Sequence, residues 1–130
     1  MKYYYSRELK NISFEEAIEK VTDTLKNEGF GVLTEIDVRE TLKKKIDVDF
    51  RPYRILGACN PHFAHKALTA EDKIGTMLPC NVIVQQVDHD VVEIAAINPM
   101  ASMMAVKNDS LEEIAQEVNH KLISALDNVR

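Results

Sequence analysis

The most constraining segment of the chain is Cys80–Ile97. Two β-rich runs, Cys80–Val87 and Val91–Ile97, are joined by only Asp88-His89-Asp90, so they are expected to pair as an antiparallel hairpin. Both faces of these strands carry apolar side chains. Val82 and Val84 point one way, Ile83 and Val87 the other. A sheet with helices on one face alone would alternate apolar and polar. Either helices cover both faces, or one face meets another chain. The helices that the rest of the sequence supplies are few and two are short, which favours a homodimer.

Those helices are announced by their start signals. Ser13 with Glu16 has capping-box spacing, and Phe14, Ile18, Val21 and Leu25 follow at helical period. Gly29 is placed to end this helix in a left-handed conformation. Asp37 with Glu40 starts a short helix running to about Ile46, with Lys43, Lys44 and Lys45 in its last turn, where the helix dipole favours cations. Asn60-Pro61 and Asn98-Pro99 are cap-plus-proline starts, the first for a helix to about Thr69, the second for a short Met-rich one. Asp109 with Glu112 is expected to start the last helix, with Leu111, Ile114, Val118, Leu122 and Ala125 facing the core. Between them Tyr3–Arg7, Phe30–Ile36 and Tyr53–Cys59 read as strands. The order is β-α-β-α-β-α-β-β-α-α: an α+β fold with a single mixed five-stranded sheet and packed helices, two-layer, forming one domain over residues 1–130.

Composition fits this reading. A chain of 130 residues with 45% apolar and 28% charged residues buries roughly two thirds of its unfolded surface and needs no staples. The net charge of −5 argues against binding to nucleic-acid backbone. No apolar run approaches the ~18 residues of a membrane span. The N-terminus has no secretory core, and two cysteines make no disulfide framework. A cytoplasmic protein is expected, with neither nucleic acid nor membrane as partner.

Three stretches carry a resemblance. Gly29-Phe30-Gly31-Val32-Leu33-Thr34-Glu35-Ile36-Asp37-Val38, then Phe50-Arg51-Pro52-Tyr53-Arg54-Ile55-Leu56-Gly57-Ala58-Cys59-Asn60-Pro61, and Gly75 through Leu78-Pro79-Cys80-Asn81-Val82 resemble the core of the family "domain of unknown function 302". The similarity runs over almost the whole chain. It implies a small α+β domain of mostly bacterial and archaeal occurrence and supplies no activity, cofactor or catalytic residue.

Chemistry therefore has to be sought in the residues. Cys59-Asn60-Pro61-His62-Phe63-Ala64-His65 is the densest reactive cluster, and Cys80 is the other thiol. Both cysteines sit at strand ends beside a proline, and each is followed by Asn. One reading is structural: cysteine packs as a small hydrophobe, and Asn60 is a helix cap. A second is a thiol pair, which requires Cα atoms within about 7 Å. If Tyr53–Cys59 and Cys80–Val87 run antiparallel, the thiols share an edge; if parallel, they lie at opposite ends. A third is zinc held by Cys59, His62, His65 and Cys80, although the spacing is not that of a finger or ribbon. His89 and His120 read as surface residues. Met100, Met103 and Met104 form one helical patch suited to core or dimer packing. The cations Arg39, Lys43, Lys44, Lys45, Arg51 and Arg54 are interleaved with Asp37, Glu40, Asp47 and Asp49, as on a solvated mixed-charge face. No glycine-rich phosphate loop or nucleophile elbow is present.

No catalytic residue is assigned and no cofactor is expected. The leading expectation is a small homodimeric ligand-binding or sensing module, with Cys59, Asn60, His65 and Cys80 as candidate site residues. The alternatives are a thiol-redox or metal-linked protein using Cys59 and Cys80, and a structural or protein-interaction domain.

Overall fold

The first helix begins where its cap predicts. The Glu16 amide donates to the Ser13 hydroxyl at 3.1 Å, and α1 runs over Phe14–Asn27. Ala17, Ile18, Val21 and Leu25 form its buried stripe. Its end closes by two reversed bonds, Phe30 N–H to Leu25 C=O and Gly29 N–H to Lys26 C=O. Gly29 takes φ = +88°, which a side chain resists. This computed structural model describes residues 1–130.

The remaining elements are β1 (Tyr4–Lys10), β2 (Gly31–Asp37), α2 (Val38–Ile46), β3 (Tyr53–Cys59), α3 (Pro61–Ala70), a 3-10 turn (Asp72–Met77), β4 (Cys80–Asp88), β5 (Val91–Ile97), α4 (Pro99–Ser102) and α5 (Asp109–Asp127). The order is the expected one, with the 3-10 turn added. Two start signals act differently from expectation. Asn108, not Asp109, caps α5, accepting from Ser110 N–H at 3.1 Å. The Asn60 side chain makes no cap bond at all. Asp37 and Asn98 do cap as read.

The five strands lie in the order β1-β5-β4-β3-β2, and all four pairings are antiparallel. The sheet is thus single and five-stranded but not mixed. Helix length is in keeping with this. A seven-residue strand spans about 24 Å, whereas α2 and α3, with 9 and 10 residues, span only about 14 and 15 Å. Each is shorter than a strand, and β3 and β4 each return from the end where the preceding strand finished. The 14-residue α1, about 21 Å long, comes close to that length, and it separates β1 and β2, which run the same way at opposite edges.

One face of the sheet is covered. Leu9, Leu56, Ala58, Val82, Val84, Val92, Ile94 and Ala96 pack with Ala17, Val21 and Leu25 of α1 and Val118, Leu122, Ala125 and Leu126 of α5. The end of α5 is tied to β1: Arg7 donates to the carbonyls of Leu126 and Val129 at 2.6 and 3.0 Å, and the Tyr5 hydroxyl donates to Asp127. At the β2–β3 edge of this face, Arg54 meets Glu35 at 2.6 Å, Glu15 at 3.2 Å and Asp37 at 3.6 Å. The opposite face carries none of this buried core. Its residues alternate with the core set and include Tyr4, Tyr53, Ile83, Gln85, Glu93, Ala95 and Ile97, which line one shallow depression. No helix is long and apolar enough to cross a membrane.

Candidate functional site

The antiparallel β3–β4 pair decides where the two thiols fall. Ala58 is the register partner of Cys80, so Cys59 lies one residue beyond it. Ladder geometry puts the two cysteine Cα atoms about 6 Å apart. Along the pleat the two side chains leave on opposite faces, but both strands end here, and both thiols border the same cavity. They are free thiols, Cys59 half-buried and Cys80 buried.

That cavity, of about 280 Å3, opens where β3 turns into α3 and the 3-10 turn delivers β4. Phe63, Ala64, Ala67 and Leu68 wall it from α3, and Ile114, Ala115 and Val118 wall it from α5. Leu78 and Pro79 approach from the loop, Met103 from beyond α4, and Leu33 from the β2 bulge. Fourteen of the 17 lining residues are hydrophobic. Pro79 and Pro99 are two of the others, which leaves Asn60 as the one amide side chain in the wall.

Asn60 is 8% exposed, and its Nδ2 donates to the Glu28 carbonyl at 3.4 Å. It links the start of α3 to the end of α1 instead of capping its own helix. A Cβ on Gly29 would lie 3.0 Å from that Nδ2, so the close approach and the positive φ both call for glycine there. Burial pushes the Cys80 thiol up to about 11, and charge on neighbouring Cys59 adds to the shift. Cys80 is accordingly held as a neutral thiol near pH 7, a poor nucleophile and a good apolar wall.

The expected site residues divide. Cys59, Asn60 and Cys80 come together at the cavity, and His65 does not. His65 lines a separate surface depression between α3 and α5 with Lys66, Glu113 and Glu117. The cause is helical phase: α3 turns Phe63, Ala64, Ala67 and Leu68 inward, and His62 and His65 fall on the exposed arc. The fourfold set Cys59, His62, His65 and Cys80 is therefore not assembled, and no group of three or more His, Cys, Asp or Glu side chains is placed to hold a metal ion.

The model of the family described as "Domain of unknown function DUF302" matches residues 5–129. The chain belongs to the DUF302 family. A crystal structure of an uncharacterised conserved DUF302 protein from Bacillus stearothermophilus is similar over 100% of both chains, at 32% identity and a TM-score of 0.91. No curated protein matches the chain.

Within this DUF302 chain, most of the cavity wall escapes sequence reasoning. Leu33, Leu68, Met103 and Ala115 are far apart in the chain and meet only in three dimensions. One signal was available. Ala58, Ala64, Ala67 and Ala115 are small residues at inward positions, where a larger side chain would have filled the space.

Proposed function

We propose that this chain is a binding module for a compact, mainly apolar small molecule that carries one hydrogen-bonding group. The supporting observation is the cavity between α3 and α5. An apolar void of about 150 Å3 already accommodates benzene, and this one is about 280 Å3. Asn60 spends one amide hydrogen on Glu28, and its remaining amide N–H and Oδ1 supply the polar contact that would orient a ligand. Thiol chemistry ranks second, because a Cys80 thiol pushed up to about 11 lacks the thiolate such chemistry uses.

Thermal unfolding with indole, toluene and octanoate as probes tests this reading. A ligand at 100-fold its Kd stabilises the native state by about 2.7 kcal/mol. The native protein is expected to gain Tm with at least one probe. The cavity-filling variant Ala64→Phe is expected to stay folded and lose that response. No Tm shift and no change in the amide NMR spectrum with any probe would sink the proposal.

A further inference from the structure

The sheet face opposite the buried core carries an ordered pattern. The cross-strand register places Ser6, Ala95, Ile83, Ile55 and Ile36 in one row running across all five strands. Ile36 is 48% exposed. Tyr4 and Ile97 form a pair on one side of this row. On the other side, Glu8, Glu93, Gln85 and Tyr53 form a second row.

The charges in that second row are arranged by position. Glu8 and Glu93 lie directly opposite each other on β1 and β5, a like-charge pairing that costs stability. At the β3 end sits Arg51, stacked over Phe50 at 4.4 Å and Tyr53 at 5.7 Å, with its Nε donating to Gln85 at 2.7 Å. Gln85 in turn donates to Glu93 at 2.7 Å. None of Glu8, Glu93 or Arg51 has an ion-pair partner within the chain. The row is thus negative at one end, positive at the other and neutral at β4.

A contact between two copies of one chain about a two-fold axis must be self-complementary. A two-fold axis parallel to β4 in the plane of the face superposes each row on its own copy with the order reversed. The Glu93 end then meets the Arg51 end, twice per dimer, and the apolar row closes on itself. We propose that this face binds a second copy of the chain, sheet against sheet, about that axis. Five strands about 4.8 Å apart, each some seven residues long at about 3.4 Å per residue, make a flat face of roughly 550 Å2. Side-chain relief brings its accessible area toward the ~800 Å2 per partner of a standard interface. This inference does not rest on the cavity, which lies at the junction with the helices.

Sedimentation equilibrium on the full chain tests it. The native protein is expected to be a dimer, and Ile83→Lys, at the centre of the apolar row, a monomer with unchanged circular dichroism. Arg51→Glu and Glu93→Arg are expected to weaken the dimer by about tenfold each. The variant carrying both exchanges is expected to recover most of that loss, because the pair is restored across the axis. These surface exchanges keep the proposal open to refutation even if Ile83→Lys fails to fold. A monomeric native protein, or a dimer indifferent to Ile83→Lys, would overturn the proposed face. A double exchange no tighter than either single one would overturn the axis.

Discussion

The buried Cys80 thiol should make this protein lose stability in alkaline solution. Its pKa rises from 9.0 in the unfolded reference to about 11 in the folded chain, because burial penalises the thiolate. For an acid whose folded pKa is raised, the stabilisation is fully present below the unfolded value and is lost as pH rises through the folded one. The window is therefore about pH 9 to 11. At pH 10 one unit has been crossed, which corresponds to about 1.4 kcal/mol, and the full two units to about 3 kcal/mol. With an unfolding entropy of about 2.1 cal/mol/K per residue over 130 residues, the pH 10 loss lowers Tm by about 5 °C.

Lysines and tyrosines also titrate in this range, so the informative quantity is a difference. Tm is measured at pH 8 and pH 10 for the native chain and for Cys80→Ala. The variant starts lower at both values, because a cavity-wall atom is gone, but the pH-dependent drop assigned to Cys80 should vanish. Equal drops in the two proteins would refute the reasoning. Alkylation gives an independent reading. At pH 8 a thiol of pKa about 11 is ionised in roughly one molecule in a thousand, and one of pKa about 8.5 in roughly one in four. Iodoacetamide should thus modify native Cys80 at least ~200-fold more slowly than an unhindered thiol.

Two further outcomes follow from local geometry. A Cβ at Gly57 would lie 2.1 Å from Thr34 Oγ1 and 2.8 Å from Pro79 Cγ. Gly57→Ala is expected to cost about 3 kcal/mol in urea unfolding, and Thr34→Ala in the same chain to return part of it. His65→Ala, on the exposed arc of α3, is expected to change stability by less than about 0.5 kcal/mol and to leave probe binding in the cavity unaltered.

How much of this was legible in the sequence depends on the range of the interaction that fixes each feature. Caps act over three residues, so Ser13 with Glu16 and Asp37 with Glu40 read correctly. At Asn108 and Asp109 two adjacent residues could both cap α5, and the choice fell to Asn108, whose Nδ2 also reaches the Ala70 carbonyl at 3.0 Å. That second bond is long-range and has no trace in local sequence. Asn60 is the same case reversed, since its side chain goes to Glu28 on another helix. The spacing of His62 and His65 says that they share a face but not which one. Helical phase is set by Ala64 and Ala67, which turn toward α5.

The strands pose a sharper question, because apolar residues on both faces of β4 and β5 admit two explanations, helices on both sides or a second chain on one. The buried core lies on one face only. α1 and α5 cover that face, and α2, which contacts β2 and β3, has no buried residue. Ile83, Ile55 and Ile36 lie in register on the face opposite that core, and Ile36 is 48% exposed. Chance exposure of single apolar residues is common, but a continuous row in register across the sheet is a pattern, and one that favours edge-to-edge or face-to-face association. The like-signed Glu8–Glu93 pair beside that row costs stability in the isolated chain. A cation brought against the pair offsets that cost, and Arg51, already ordered by Gln85 and two aromatic rings, stands where a two-fold axis would bring it.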